Sequence, residues 1–458
     1  MYNNKTLLII GLFAVALVVF TLFTTKIMFP DTAQYVGFAK EFSGDSTSKV
    51  RNLPSPVYPL FLGQFLKIAP NIVTIKIINI LWLLGIGLLL FHMTKNYKAL
   101  LLWIFSPLVW YMAPWLNPIM AVAFFVLLAY HLFIEYEKKN DVRYLILSGL
   151  SMGATGAIWW AATYVMLFFT FAFFFDKKFK DVIIFLIAAL FTYSIKLLIE
   201  YIIYGFPILS IIRSIGSNFS QGVQHFPPLS HYLIGIISII FLVSVFFYKI
   251  EFRKYKKETM FLALSIFLFL LNFQFRYYII VLPLILFLIS KNINKKHLII
   301  HIFLAFFVVI YFTSGIFGQI QQFKYDYFGE TEDYKIMQDL NDIGKDFPNE
   351  RFIVGSSLEQ EEQAFTLSTL YWGDSIREFI WFSDYYLSLQ GKSDLKQYTI
   401  HSNPRINDIR KISFNIVYSR TDIEDYGNVK YAILIGEGSL ERFELVEEYR
   451  ILKVLKRV

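Results

Sequence analysis

Apolar runs that are long enough to cross a lipid bilayer, or nearly so, recur through the first 320 residues of this chain. A spanning helix needs about 20 mostly apolar residues, because the hydrocarbon core is about 30 Å thick. Several runs are shorter than this, so their predicted ends are approximate. The pattern predicts roughly eleven membrane-spanning helices. They are Thr6–Ile27, Ile72–His92, Ala99–Ala113, Pro118–Tyr136, Tyr144–Trp159, Ala161–Phe175, Val182–Ile203, Leu229–Phe247, Met260–Phe273, Tyr277–Ser290 and Leu298–Phe317.

The composition supports a polytopic α-helical membrane protein. Hydrophobic residues make up 56% of the chain and charged residues only 17%, whereas a soluble domain carries about 25% charged residues. The first span is long and has no small-residue cleavage site, so we expect a retained helix. Cysteine is absent, which excludes disulfides, thiolate nucleophiles and cysteine-ligated metals. No basic face with interleaved aromatic residues occurs on a soluble segment, so no nucleic-acid partner is expected.

The distribution of basic residues predicts how the chain is oriented. Lysine and arginine are concentrated in every second loop, and the positive-inside rule places such loops in the cytoplasm. The N-terminus is then cytoplasmic, while the loop over residues 28–71, the loop over residues 204–228 and the C-terminal tail are extracytoplasmic. We therefore expect a multi-pass protein of the cell membrane. The basic segments are residues 94–98, 138–143, 176–180, 249–257 and 291–297.

From about Gln319 the composition becomes that of a soluble domain. The sequence predicts two domains, a transmembrane domain over residues 1–320 and an extracytoplasmic α/β domain over residues 321–458. Periodicity in the second domain predicts helices over Glu332–Phe347, Glu359–Leu370 and Ser375–Gln390. It predicts strands over Arg351–Gly355, Asn415–Tyr418 and Tyr431–Ile435, and a final strand or strand pair over Glu447–Leu455.

Asp31 stands out in the first predicted extracytoplasmic loop. An acidic residue at the mouth of a membrane helix is costly unless it has a function. Residues 32–42 predict an amphipathic helix in the interface plane, which would hold Asp31 at the membrane boundary. A carboxylate there can act as a general base on a hydroxyl group. The alternative is that Asp31 caps the helix, and the two interpretations are compatible. The apolar face of this helix comprises Tyr35, Phe38, Ala39 and Phe42.

Two arginines are candidate phosphate ligands on the same predicted side of the membrane. Arg276 lies at the outer end of a short span, where a guanidinium can pair with a phosphate in a bidentate manner. It can equally extend to lipid head groups. Arg51 lies upstream of a rigid proline-rich stretch, residues 54–59, and lipid contact is an alternative there too.

Three further features have ordinary explanations. Trp159 and Trp160 are typical of an aromatic belt at a membrane interface, with a sugar-stacking platform as the alternative. Lys196 and Glu200 are spaced as an i,i+4 ion pair within one span. His225 has no obvious partner ligands in the sequence, so a divalent metal is compatible with the chain but unsupported.

Taken in order, these motifs resemble the GT-C superfamily of polyprenyl-phosphate-sugar-dependent glycosyltransferases. The resemblance is to the family 39 type, which includes protein O-mannosyltransferases and the lipid A aminoarabinose transferase. It rests on Asp31 with Tyr35, on the Pro-x-Tyr-Pro motif that contains Tyr58, and on Arg276-Tyr277 ahead of Pro283. The C-terminal α/β domain also occurs in bacterial and archaeal members. Many members carry Asp-Glu in the first loop, whereas this chain has Thr32 after Asp31.

The resemblance implies an inverting glycosyltransferase that serves cell-envelope glycosylation. Its donor is a sugar on a polyprenyl phosphate, and its acceptor is a hydroxyl group of a protein, lipid or glycan. Asp31 is implied as the catalytic base, and Arg276 with Arg51 as donor-phosphate ligands. Tyr35, Tyr58 and Tyr277 are implied as substrate-positioning groups. No cofactor is implied with certainty.

Two other functions remain open on the sequence. A membrane transporter or flippase would place polar or helix-breaking residues at the bilayer midplane and show an inverted repeat, whereas the polar residues here gather at the predicted outer edge. A non-catalytic assembly protein with the GT-C fold is the second alternative, because a fold does not fix a function.

Overall fold

The computed structural model describes residues 4–27, 32–45, 55–159, 162, 165–166, 170, 179–204, 207–208, 210–211, 277–290, 296, 298–300, 303, 328–355, 361–389, 426–436 and 438–458. These residues are mostly helical and include one five-stranded sheet. The chain divides into two compact units. The first comprises Met1–Thr24, Lys76–Lys196 and Val223–Tyr327, and the second comprises Thr25–Ile75, Leu197–Gly222 and Phe328–Val458.

The described residues up to residue 290 are mostly helical. Three of the helices in the described residues are long and apolar enough to span a bilayer, namely Ile72–Thr94, Ile119–Lys139 and Phe179–Ile203. Each agrees within a few residues with a predicted span. Up to residue 290, the structure describes seven further helices: Asn4–Phe23, Thr32–Ser43, Val57–Leu66, Tyr97–Ile104, Pro107–Met112, Val142–Ile158 and Tyr278–Ile289.

The total of eleven spans stays a prediction. The predicted spans at 229–247 and 260–273 lie outside the described residues, as do most residues of those at 161–175 and 298–317. The prediction of one continuous helix over 99–113 is wrong. The structure has two shorter helices there, which meet at Phe105-Ser106. The break follows from Pro107, which has no N–H to donate and restricts the residue before it to extended conformations. Ser106 accordingly has ψ 125°.

Two glycines allow close helix packing within the first unit. Gly149 and Gly153 lie four residues apart on the helix Val142–Ile158 and face the helix that begins at Phe179. A Cβ atom at Gly149 would lie 2.5 Å from the carbonyl oxygen of Phe185, and one at Gly153 would lie 2.2 Å from that of Ala189. Any larger residue would therefore push the two backbones apart, as in the small-residue interfaces typical of membrane helices.

A buried lysine in the first unit has a structural role. Lys76 lies near the start of the helix Ile72–Thr94, and its Nζ donates to the carbonyl oxygens of Leu22 at 3.1 Å and Thr24 at 2.5 Å. These carbonyls belong to the end of the helix Asn4–Phe23, where main-chain acceptors have no partner within the helix. The ammonium therefore caps the first helix and complements its dipole.

The sheet of the second unit has its strands side by side in the order β2 (Glu378–Trp381), β1 (Arg351–Val354), β3 (Tyr431–Ile435), β5 (Leu452–Arg457) and β4 (Phe443–Glu448). Strands β1, β2 and β3 are parallel, with Ile353 opposite Ile380 on one side and Ala432 on the other. Strands β4 and β5 form an antiparallel pair, and β5 also pairs with β3. The helices of this part are Glu332–Asp346, Glu361–Leu370 and Phe382–Leu389.

Most elements predicted for the C-terminal part are confirmed. These are the helices near 332–347 and 359–370, the strands near 351–355 and 431–435, and the final strand pair. The single helix predicted over 375–390 is wrong, because Glu378–Trp381 is the edge strand β2 and the helix begins only at Phe382. The short apolar run Phe379-Ile380-Trp381 suits a strand buried against β1, and all four residues of β2 are buried.

The predicted domain boundary near residue 320 lies outside the described residues, as does the predicted strand at 415–418. The division at 320 therefore stays a prediction. The second compact unit is larger than the C-terminal segment alone, because it also includes the first predicted loop within Thr25–Ile75.

Candidate active site

Three of the six predicted site residues lie in the described part of the chain. These are Tyr35, Tyr58 and Tyr277, whereas Asp31, Arg51 and Arg276 lie outside it. The structure therefore describes the elements that flank the predicted base and phosphate ligands. The roles of Asp31, Arg51 and Arg276 stay predictions.

Tyr35 and Tyr58 lie together in the second unit. Tyr35 is on the helix Thr32–Ser43, which confirms that a helix follows Asp31, and Tyr58 is on the helix Val57–Leu66. Their rings meet edge to face, with centroids 6.2 Å apart, and both side chains are buried. Gly63 permits the close approach of the two helices, because a Cβ there would lie 2.9 Å from the carbonyl oxygen of Ala39. The two motif tyrosines thus hold two helices of the first predicted loop together.

Tyr277 packs against Trp159 in the first unit. The ring centroids are 4.7 Å apart and the rings are tilted by 38°. Trp159 directly follows the helix Val142–Ile158, and Tyr277 directly precedes the helix Tyr278–Ile289. The structure therefore joins Trp159 to the residue that follows Arg276. Sequence reasoning had treated the two as separate features.

The residues after the first helix are bonded to the start of the helix Glu332–Asp346. The buried carboxylate of Asp333 accepts the main-chain N–H of Ile27 at 2.8 Å and lies 3.3 Å from Nζ of Lys26. The hydroxyl of Thr331 donates to the carbonyl oxygen of Thr25 at 3.1 Å. All these residues belong to the second unit.

Lys40 forms a second set of bonds from the helix Thr32–Ser43. Only 1% of its surface is exposed. Its Nζ donates to the carbonyl oxygens of Ser368 at 2.8 Å and Tyr371 at 2.5 Å and lies 3.2 Å from the carboxylate of Asp45. Burial lowers the pKa of Lys40, while the charge and hydrogen bond of Asp45 act in the opposite direction.

Sequence reasoning missed both Lys40 and Asp333. A lysine on an amphipathic helix is usually exposed, so Lys40 gave no reason to predict burial. Asp333 is in the first turn of a helix, where an acidic residue is ordinary because it complements the helix dipole. The two carbonyl partners of Lys40 and the main-chain partner of Asp333 are more than 300 positions away in the sequence. No local pattern indicates such contacts.

Other polar candidates are placed as follows. Glu200 is buried, and its carboxylate accepts a short hydrogen bond from the hydroxyl of Ser210. Nζ of Lys196 lies 5.3 Å from the centroid of the Tyr193 ring. No group of three or more histidine, aspartate or glutamate side chains within the described ranges is arranged to hold a metal ion. His225 lies outside those ranges, so a metal at His225 is untested.

Comparisons with known proteins found similarity at the level of structure. The sequence matches no protein-family model, and no match was found among curated proteins. The structure is similar to the crystal structure of ArnT from Cupriavidus metallidurans bound to undecaprenyl phosphate, with a TM-score of 0.65 and 11% sequence identity. The similarity covers 100% of this chain and 99% of ArnT. At this identity the likeness concerns the fold alone, and it supports a helical membrane fold.

Proposed function

We propose that this protein is a membrane glycosyltransferase that takes a sugar from a polyprenyl-phosphate donor. The observation that carries the proposal is the full-length fold similarity to ArnT, a protein that was crystallised with undecaprenyl phosphate. The order of the motifs around Asp31, Tyr58 and Arg276 supports it independently. The donor is proposed as a sugar joined through one phosphate to a polyprenol such as undecaprenol.

The proposed reaction is inverting and takes place on the extracytoplasmic face. Asp31 accepts the proton of an acceptor hydroxyl as the hydroxyl oxygen bonds to the anomeric carbon. The bond between that carbon and the phosphate oxygen breaks, and the polyprenyl phosphate leaves with the electron pair. The proton then remains on the Asp31 carboxyl group until it passes to solvent. We place the acceptor among proteins, lipids and glycans.

The position of Asp31 in the sequence suits this role. It directly precedes the helix Thr32–Ser43, whose N-terminus carries a partial positive charge that favours a nearby ionised carboxylate. The adjoining helices are held by the buried contact between Tyr35 and Tyr58. A base on such a support costs less entropy to orient than one on a free loop. This arrangement is compatible with Asp31 also capping the helix.

Arg276, together with Arg51, is proposed to stabilise the charge that develops on the leaving phosphate. A guanidinium suits a phosphate because its N–H groups form a fixed fork. Tyr277 follows Arg276 and packs on Trp159, which restricts the chain next to the arginine. We propose the same aromatic pair as a sugar-stacking surface. Within the GT-C class, we propose the family 39 type and a role in cell-envelope glycosylation.

Removal of the protein tests the proposal. A donor that is no longer consumed should accumulate, so lipid extracts from cells that lack the protein should contain more polyprenyl-phosphate-linked sugar than wild-type extracts. Mass spectrometry of the extracts would identify the sugar from its mass. Re-expression should restore the wild-type level. Unchanged levels of all polyprenyl-phosphate sugars would contradict the proposal and favour a transporter or a non-catalytic assembly protein.

A further inference from the structure

The chain around Asp31 is attached on both sides to C-terminal residues of the same compact unit. Before Asp31, the Asp333 carboxylate holds the main chain at Ile27, which is four positions upstream. After Asp31, the hydroxyl of Thr369 donates to the carbonyl oxygen of Ala33 at 3.4 Å. Two helical turns further on, Lys40 donates to two carbonyl oxygens near the end of the helix Glu361–Leu370.

The Lys40 contact packs the helix Thr32–Ser43 against the helix Glu361–Leu370 at a high cost in desolvation free energy. Burying an ammonium group costs several kcal/mol unless its charge is paired and its hydrogens are bonded. Asp45 and two carbonyl oxygens compensate Lys40, but an apolar side chain of similar length would pack there without that cost. Unlike an apolar side chain, the lysine forms directional hydrogen bonds. These bonds fix the rotation of the helix Thr32–Ser43 about its axis and its position along that axis.

We infer that Lys40 and Asp333 are positioning residues for sugar transfer, which hold Asp31 in place by fixing the chain on either side of it. This inference rests on the proposed role of Asp31 as the base. Asp31 is two positions from Ala33, a stretch of about 7 Å at most, so the bond that holds Ala33 limits where Asp31 can lie. A misplacement of about 1 Å can reduce a catalysed rate about 100-fold.

The first test measures the mobility of residue 31 without any reaction. The chain has no cysteine, so Asp31→Cys provides a unique attachment site for a nitroxide spin label. In the full-length protein in nanodiscs, Lys40→Met and Asp333→Leu should each narrow the electron paramagnetic resonance lines of the label. Thr369→Val, a milder change that removes one hydroxyl, should narrow them less.

Matched controls are available on the neighbouring elements. Lys67 is exposed and bonds only weakly to Gln64, at 3.4 Å, so Lys67→Met should leave the spectrum unchanged. Glu332 is exposed and adjacent to Asp333, so Glu332→Leu serves in the same way. An unchanged spectrum in both Lys40→Met and Asp333→Leu would overturn the inference, whatever Asp31 does in the reaction.

The second test separates positioning from binding. Variants that keep Asp31 are assayed for loss of lipid-linked sugar in permeabilised membranes and for binding of undecaprenyl phosphate to the purified protein. Lys40→Met should slow sugar loss by a factor on the order of 10 to 100 while the Kd for undecaprenyl phosphate stays within about twofold of wild type. A parallel loss of binding and rate would indicate a purely structural residue and overturn the inference.

The two tests also distinguish this inference from the proposed function. If Asp31→Asn is fully active, the proposed base is wrong, and the spin-label result then reports only how the loop is held. If Asp31→Asn is inactive but Lys40→Met transfers sugar at the wild-type rate, the result supports Asp31 as the base and contradicts the positioning role of Lys40. Support requires a mobile label, a slow transfer and retained binding together.

Discussion

The ring of Tyr58 meets the ring of Tyr35 edge to face, with centroids 6.2 Å apart and an interplanar angle of 77°. Tyr58 is 2% exposed and also stacks on Phe61. An edge-to-face pair adds about 0.5–1.5 kcal/mol beyond the area that it buries. Tyr35 and Tyr58 belong to two separate sequence motifs, and their contact joins the helices Thr32–Ser43 and Val57–Leu66.

We expect Tyr58→Ala to destabilise the protein because it leaves a cavity between these helices. Large-to-small changes at buried aromatic residues cost about 3–5 kcal/mol, so the thermal unfolding midpoint of the detergent-solubilised protein should fall clearly. Phe61→Ala is the control. Phe61 is 39% exposed, so its truncation should cost less. Equal effects of the two substitutions would contradict the importance of the Tyr35–Tyr58 contact.

A second prediction concerns the residue in the place of the acidic group that many GT-C members carry. Thr32 is fully buried, and its hydroxyl has no hydrogen-bond partner among the described residues. Removal of an unsatisfied buried hydroxyl is neutral or stabilising when the shape is kept. Thr32→Val should therefore leave the unfolding midpoint unchanged or raise it.

Thr24→Val is the matched control for this prediction. The hydroxyl of Thr24 donates to the carbonyl oxygen of Thr21 at 2.9 Å and accepts from Lys76. Its loss leaves buried partners unsatisfied, so the midpoint should fall. A fall of the same size in Thr32→Val would show that the Thr32 hydroxyl is bonded after all.

Sequence reasoning succeeded where the relevant physics is local. Hydrophobic length identified the spans near 72–94, 119–139 and 179–203, and periodicity identified the helix that follows Asp31. It failed where tertiary contacts decide. The run at 378–381 looks helical in isolation, but it is a strand because it pairs with β1. The contacts of Lys40 and Asp333 could not be predicted, because each joins segments some 300 residues apart and has no local pattern.

The membrane orientation gives a third prediction. The basic loops place the N-terminus in the cytoplasm and the C-terminal residues outside. Single cysteines can be introduced in this cysteine-free chain and labelled with a membrane-impermeant maleimide on intact cells. Ser393→Cys should be labelled and Lys254→Cys should not, whereas both should be labelled after permeabilisation. The reverse pattern on intact cells would overturn the orientation.

Arg276 provides a test of donor-phosphate binding. Arg276→Lys keeps the charge but loses the bidentate fork, so the Kd for undecaprenyl phosphate should rise, by a factor on the order of 10 for about 1.4 kcal/mol lost. Arg276→Ala should weaken binding further. Lys67→Met is a control on an exposed cation. If Arg276→Ala binds undecaprenyl phosphate as well as wild type does, the guanidinium contacts lipid head groups only.

The last prediction concerns Asp31, because one substitution separates its two interpretations. Asp31→Asn keeps the size and hydrogen-bonding capacity of the side chain but removes the proton acceptor. If Asp31 is the general base, sugar transfer should fall by a factor of about 10² or more, while membrane insertion and binding of undecaprenyl phosphate persist. If Asp31 is only a helix cap, asparagine is nearly as good a cap, so stability and transfer should both stay near wild type.

Turnover must be measured beside binding for this result to be decisive. Lipid-linked sugar should accumulate in cells that carry Asp31→Asn about as it does in cells without the protein, and the purified variant should still bind undecaprenyl phosphate. Asp31→Glu extends the carboxylate by one methylene and should recover part of the activity, because the proton acceptor is restored at a displaced position. Full activity in Asp31→Asn would remove the base from the mechanism, and transport or assembly would then be the better account of this fold.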